Sequence, residues 1–392
     1  MNRHPSSAGA ACPRRARRIF SASALSARHV SVSAVMAGAL LSVSTGVYAQ
    51  SDDAEPRSTS AAGSVTLYGI IDTNVEFLSH AAAGGGSVVR EQSGGLHSSR
   101  FGFRGNEPLG GGTAAWFVLE SGFNSNDGTQ ATAGTIFNRT AAVGLQNDRY
   151  GSLSFGLQYT PMYDTLAQYD PMDYGQQYTW FPTTGSSDDF AFRARNSNSV
   201  KYVGRYRGLT ATAEYAFGNS ADSFQSSAAY GGALNYDGGP FGLAVAYDYR
   251  NGAINTTGTW TKSRNLSISG RYNLGPARIT AGYEHYLYNP TKGASAAQAL
   301  FFGGIRYPVS PAVQLTAAYY YERDKTPGMS NAWMGVLSTQ YALSKRTSVY
   351  ATVAYAQATR GFNNQYTPVG TTDSTAFGPN QTGVTLGILH RF

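Results

Sequence analysis

The sequence predicts an all-β chain: a sixteen-stranded antiparallel sheet closed into a transmembrane barrel. Three observations predict it. Apolar and polar residues alternate with period two from about residue 64 to the end. Tight turns alternate with longer polar connections, and strand ends carry aromatic side chains.

Period two places successive side chains on opposite faces of a strand. In SLSFGLQY (152–159), Leu153, Phe155, Leu157 and Tyr159 share one face, and Ser154, Gly156 and Gln158 the other. Farther on, Ile279, Ala281, Tyr283 and Leu287 alternate with Arg278, Thr280, Gly282 and Glu284. Val313, Leu315, Ala317 and Tyr319 likewise oppose Gln314, Thr316, Ala318 and Tyr320, and Val349, Ala351, Val353 and Tyr355 oppose small or polar neighbours. Alternation alone also suits a soluble sandwich, so the connections decide.

Those connections fall into two classes. NEPLGGG, QNDRYG, GRYRG, YDGGP, NLGP, YPVSP and ALSKR read as short turns. Between them run longer polar stretches such as Leu78 to Leu96, Thr160 to Asn196, Tyr249 to Lys262 and Thr359 to Gln381. Seven tight turns and eight loops make sixteen strands with both termini on the short-turn side, the asymmetry and even strand number of outer-membrane barrels. Strand-end aromatics (Tyr68, Phe77, Tyr159, Tyr247, Tyr249, Tyr307, Tyr319, Tyr341, Tyr355 and Phe392) would be exposed hydrophobes in water but form girdles at two membrane interfaces. A closed sheet of this size leaves a lumen too wide for side chains to fill, so it holds water.

The N-terminus reads as an export signal. Arg14, Arg15, Arg17 and Arg18 precede an apolar, small-residue run from Val30 to Val47, and a small residue, Ala49, offers the cut. The run is shorter and less apolar than the roughly 20 residues a membrane helix needs. Arg17-Arg18 followed by Phe20 also has the form of a twin-arginine signal. The expected organisation is a signal over 1–49, a flexible leader over 50–63, and a barrel over 64–392 with a long loop at 160–196.

Charge and cysteine usage follow from that cut. Residues 1–49 hold six arginines and no acid, so the formal net charge of +7 falls to +1 without them, and the basic pI is no sign of nucleic-acid binding. Cys12, the single cysteine, leaves with the signal, which excludes disulfides, thiol catalysis and thiolate metal sites from the mature chain. His80, His97, His285 and His390 form no metal-spaced pair, and the glycines of LGGGT lack the lysine of a phosphate loop. No catalytic residue, metal or cofactor is expected.

Residues 160–195, TPMYDTLAQYDPMDYGQQYTWFPTTGSSDDFAFRAR, are dense in Tyr, Trp, Phe and Pro, unusual for a loop in solvent, and loops of this length are commonly functional. Placed inside a barrel, their aromatics would pack on the wall and their carboxylates face the opening.

Here SVTLYGIID, SSRFGFRGNEPLGGGTAAWFVLESGF, FNRTAAVGL, GSLSFGLQY, RNSNSVKY, GLTATAEYAFG and the terminal LGILHRF resemble, in order, the general diffusion porins of Gram-negative outer membranes. The resemblance implies a homotrimer of sixteen-stranded barrels, each narrowed by an inward-folded third long loop whose acids face wall arginines. Motif by motif, it places the arginines at Arg100, Arg139 and Arg195 and the loop acids at Asp170 and Asp173. It also makes Phe392 the signal read by the outer-membrane assembly machinery, on a strand whose Val384, Leu386, Ile388 and His390 would face lipid. Ile70 stands where some relatives carry a basic residue, which implies a smaller wall cluster. Arg193, Asp164 and Asp189 are further candidates, and Arg278 and Glu284 read as solvated lumen charges.

Opposed charges across a narrow aqueous gap make a transverse field that polar solutes can follow. The expected function is passive diffusion of ions and small hydrophilic solutes across the outer membrane, with outer-membrane lipid outside the barrel. The wall arginines tilt the expected preference towards anions. A substrate-specific channel, and a barrel serving as a surface adhesin, receptor or enzyme, are the alternatives.

Overall fold

The computed structural model describes residues 63–82, 85–175, 177–179, 193–221, 223–325, 331–363 and 377–392. The expected signal, and the leader apart from Gly63, lie outside them, as does Asp189. The strands are β1 (Ser64–Leu78), β2 (Val88–Ser93), β3 (Arg100–Gly110), β4 (Thr113–Gly122), β5 (Thr140–Asn147), β6 (Gly151–Tyr159), β7 (Arg195–Tyr206), β8 (Leu209–Ala216) and β9 (Ala229–Gly238), followed by β10 (Phe241–Asn251), β11 (Lys262–Leu274), β12 (Ala277–Asn289), β13 (Ala296–Ser310), β14 (Val313–Asp324), β15 (Ala332–Ala342), β16 (Thr347–Asn363) and β17 (Phe377–Arg391). One helix, α1 (Pro161–Tyr169), lies between β6 and β7.

Apart from β2 and β3, which do not pair with each other, every strand pairs antiparallel with its chain neighbours, and β17 pairs with β1 from Ile70↔Arg391 to Leu78↔Gly383, which closes the sheet. β2 and β3 form one stave, since β1 pairs with β3 over Ser64–Ile70 and with β2 over Thr73–Leu78. The barrel is therefore sixteen-stranded, with its second stave broken at residues 94–99. Closure leaves no unpaired edge, which the backbone needs inside lipid. The seven short sequences quoted above all lie at the tight turns.

The break in the second stave has a local cause. Gly94 adopts φ +77° and donates its N–H to the carbonyl of Asp72. A side chain on Gly95 would collide with the Tyr350 hydroxyl, so the chain passes close over that ring only as glycine. The Asp72 carboxylate accepts from the N–H groups of Leu96 (2.9 Å) and His97 (2.8 Å) and from Tyr350 (2.6 Å), and so fixes the excursion.

Alternation sorts the two faces. Leu243, Leu337 and Leu386 are more than 60% exposed, whereas Asn74, Tyr320 and Thr385, on the opposite parity of their strands, are almost fully buried. In water the outer face would be one contiguous apolar patch, and in a bilayer it is the solvated one. Tyr236, Phe241, Tyr272, Tyr307, Tyr341 and Phe392 stand outward near the short-turn end, and Phe77, Tyr230, Tyr247, Tyr319 and Tyr355 nearer the loops.

Candidate functional site

The connection from β6 to β7 contains the helix. Thr160 caps it, its hydroxyl accepting from the Tyr163 N–H (3.2 Å), and Pro161 supplies the first-turn residue that lacks an N–H. Met162, Thr165, Leu166 and Tyr169, spaced three and four apart, form its buried face. Met162 and Leu166 belong to a buried cluster that includes Ala233 and Ala246 from the strand wall.

Beyond the helix the chain turns on Asp170. Its Oδ2 accepts from the N–H groups of Met172 and Tyr174 (both 2.9 Å) and from the Thr179 hydroxyl (3.3 Å), while Oδ1 accepts from Tyr320 on β14 (2.7 Å). Asp173 and Tyr174 take left-handed backbone angles, φ +55° and +54°, to complete the turn. The Gln177 N–H then bonds the Gly95 carbonyl (3.0 Å), its side-chain amide bonds Asn74 (3.3 Å), and Thr385 and Tyr178 share a hydrogen bond. Residues 160–175 and 177–179 thus touch the inward faces of β9, β10, β14, β17 and β1. Burial lifts the Asp170 carboxyl to about 6, against the opposing hydrogen bonds from Tyr320 and the turn N–H groups.

The three arginines read from the sequence lie together. Glu120, at the end of β4, takes Arg139 Nε at 2.7 Å, Arg100 Nε at 3.4 Å and the Tyr68 hydroxyl at 3.0 Å. Arg139 and Arg195 both donate to the Tyr159 hydroxyl, at 2.7 and 2.8 Å, and the Arg195 guanidinium lies 4.3 Å from that ring's centroid. Tyr159 stacks on Tyr163 of α1 with centroids 4.5 Å apart, and beside it Lys201 pairs with Asp164 at 2.7 Å. Arg195 opens β7 and so belongs to the wall.

The two acids read from the sequence lie elsewhere. Asp170 is 4% exposed and holds the turn just described. Asp173 pairs at 2.6 Å with Arg306 of β13, whose guanidinium also donates to the Pro171 carbonyl (2.9 Å). Arg278 donates to the Gln168 carbonyl, and Arg271 pairs with Asp237. The structure therefore brings Arg100, Arg139 and Arg195 onto Glu120 and Tyr159, and carries the loop acids to the β13–β14 side. Around residues 160–175, seven cations, Arg100, Arg139, Arg195, Lys201, Arg271, Arg278 and Arg306, stand beside five carboxylates, Glu120, Asp164, Asp170, Asp173 and Asp237.

Sequence reasoning missed Glu120, Arg306 and Arg271, placed Tyr159 and Tyr68 in a lipid girdle although Tyr68 bonds Glu120 inside the barrel, and left Arg278 and Glu284 as solvated charges although Glu284 is buried. Tyr159 stands next to a register shift between Gly156 and Gln158, and its hydroxyl is held by two arginines. Ile70 packs with Tyr350 and Leu389 in a small apolar cluster on the wall. Among the described residues, no group of three His, Cys, Asp or Glu side chains could hold a metal ion, and no helix is long and apolar enough to cross a membrane.

A closed sixteen-strand barrel, apolar outside and charged within, defines an outer-membrane channel protein. Comparison makes that specific: residues 32–361 match the model of the Gram-negative porin family, and the chain belongs to it. It is 30% identical over 347 residues to outer membrane porin protein 32 of Delftia acidovorans, covering 85% of this chain and 95% of the relative. It is 25% identical over 334 residues to the major outer membrane protein P.IB of Neisseria meningitidis serogroup B, covering 79% and 93%. Its fold matches the anion-selective porin from Comamonas acidovorans with a TM-score of 0.76 at 26% identity, covering 84% of this chain and all of that one.

Proposed function

We propose that this outer-membrane porin is an anion-preferring, water-filled pore for passive diffusion of ions and small hydrophilic solutes, narrowed by residues 160–179. The observation that carries this reading is the pair of arginine groups that flank that segment. Arg139 and Arg195 meet on Tyr159 beside α1, and Arg306 meets Asp173 beyond it. Because the cations outnumber their acids, the field in the gap favours negative solutes, and low-dielectric walls focus it. The similarity to an anion-selective porin agrees with this sign.

The test is the reversal potential across a salt gradient in planar bilayers. Replacing Arg100, Arg139 and Arg195 together by Gln shifts it towards cations on this reading, and an unchanged value refutes the arginine assignment. Deleting residues 165–175 raises single-channel conductance if the segment narrows the pore. The reading also includes a homotrimer, seen as a heat-dissociable band, and cleavage after Ala49, seen as Gln50 at the mature N-terminus.

A further inference from the structure

Behind the turn that follows α1, the inward face of β11–β13 holds three buried oxygens that no donor among the described residues serves: Asn265 Oδ1, Glu284 Oε2 and Gln298 Oε1. Strand register brings them together. Asn265 on β11 and Gln298 on β13 both lie opposite Tyr286 of β12, and Glu284 stands two residues from Tyr286 on the same face. Each amide is therefore a diagonal neighbour of Glu284, roughly 7–8 Å away between backbones and within reach of a long side chain.

The other bonds of the two amides set their direction. Asn265 donates its NH2 to Asp248 of β10 (3.3 Å), and Gln298 donates its NH2 to Asp324 of β14 (2.9 Å). With both nitrogens spent on the flanking strands, the amide oxygens turn back towards β12, where Glu284 stands.

The wall does not offset the Glu284 charge. Its inward neighbours across the sheet are Ser267 and Leu300, and its diagonal ones, besides the two amides, are Ser269 and Phe302, none of them basic. The loop adds a charge of the same sign in Asp170, whose two oxygens already hold the turn. Met172 and Tyr174 of that turn pack in one buried cluster with Tyr286 and Leu300, so the turn roofs this part of the wall.

Chemistry selects the occupant. A buried carboxylate needs a counter-charge, a metal or a proton. A proton on Glu284 would serve only one of the two amide oxygens, and a water molecule would serve two acceptors while leaving the charge unbalanced. A hard cation serves all three oxygens and balances the carboxylate. One carboxylate and two neutral amide oxygens from three strands suit calcium, which takes such ligands in flexible geometry, whereas magnesium demands a near-ideal octahedron.

We infer that Asn265, Glu284 and Gln298 form a calcium site between the barrel wall and the turn after α1, with water completing the shell. Such a site needs no trio of acids. It lies apart from the arginines on Glu120 and Tyr159, so its failure would leave the channel reading intact.

The test uses the purified, folded protein in neutral detergent, stripped with a chelator and titrated by calorimetry with calcium chloride, magnesium chloride or sodium chloride. The expected result is one calcium per chain with a dissociation constant of about 10⁻⁴–10⁻³ M, the range of weak extracellular oxygen sites, and magnesium weaker by at least about tenfold. Glu284→Gln, the same shape without the charge, should weaken calcium binding by at least about tenfold, and Gln298→Leu by several-fold. Calcium should raise the midpoint of heat unfolding in the parent and leave that of Glu284→Gln unmoved. The control Asp127→Asn, at an exposed loop carboxylate, binds calcium like the parent. Heat-modifiable mobility and parental conductance show that the variants are folded. If Glu284→Gln does not fold, Gln298→Leu decides by the same criterion. No calcium uptake at about 10 mM, equal binding of sodium, or undiminished uptake by the folded variant would each overturn the inference.

Discussion

Tyr320 donates its hydroxyl to Asp170 at 2.7 Å, tying the turn after α1 to β14 from 150 residues away. The bond sits where burial lifts the Asp170 carboxyl from the ordinary carboxylate range to about 6. A group whose native value is raised stabilises the native state fully below its ordinary range, and loses that contribution as pH rises through the raised value. The turn is therefore held more firmly at pH 5 than at pH 8. Single-channel recordings should show open-channel noise and substates growing between those values. Asp170→Asn, which cannot ionise, should flatten the dependence, and an equally steep profile in that variant counts against the mechanism.

Glu120 is shared by Arg100 and Arg139, so its removal leaves two mostly buried guanidinium groups without their common partner. Glu120→Gln should lower stability by about 1–3 kcal/mol and move the reversal potential further towards anions. Urea unfolding in vesicles reads the first and a salt gradient the second. A shift towards cations would show that Glu120 does not offset the wall arginines.

The staves were legible because period two and turn chemistry are local properties, and six of the seven short turns carry Gly, Pro, Asn or Asp, ALSKR being the exception. Arg100, Arg139 and Arg195 were legible as a group through motif matching. Their partner was not. Glu120 reaches Arg139 only through the register that sets Glu120 opposite Thr140, and nothing in WFVLESG distinguishes it from any lumen charge. Asp170 has the same difficulty, since its burial depends on Tyr320, far along the chain. The broken second stave read as part of one long loop, because Gly94-Gly95 looks like a turn until Tyr350 is seen beneath it. Tyr159 followed the strand's parity in sequence, whereas its actual environment is set by the arginines at the strand end.

The outer face should reject charge according to depth. Leu337, in the middle of β15, is 66% exposed on the lipid side. Leu337→Arg should cost about 2–4 kcal/mol in refolding into lipid vesicles, the range for a cation at the bilayer midplane. Lys345→Arg at the short-turn end should be neutral within error. Equal effects at both positions would mean that Leu337 is not in contact with lipid.

The last residue closes the barrel and carries an aromatic ring to its rim. Phe392 exchanges two backbone hydrogen bonds with Gly69, each 3.1 Å, and its ring lies over the space that a Gly69 side chain would occupy. Arg391 continues the pairing opposite Ile70, and His390 bonds Thr347 through Nδ1 at 2.9 Å, so the final strand is fixed on both edges. Deleting Phe392 removes the final pairing and one member of the short-turn aromatic belt, yet it touches none of the arginines around Glu120 or Arg306. Assembly should therefore fall much more than conductance. The yield of heat-modifiable barrel in outer-membrane fractions should drop at least about tenfold, the effect of roughly 1.4 kcal/mol on an equilibrium, while channels that do form keep the parent conductance. Phe392→Tyr, which preserves an interfacial ring, should assemble normally. Gly69→Ala should reproduce the defect in milder form by displacing the ring. Normal yield from the deletion would show that the ring and its pairing are dispensable for barrel closure.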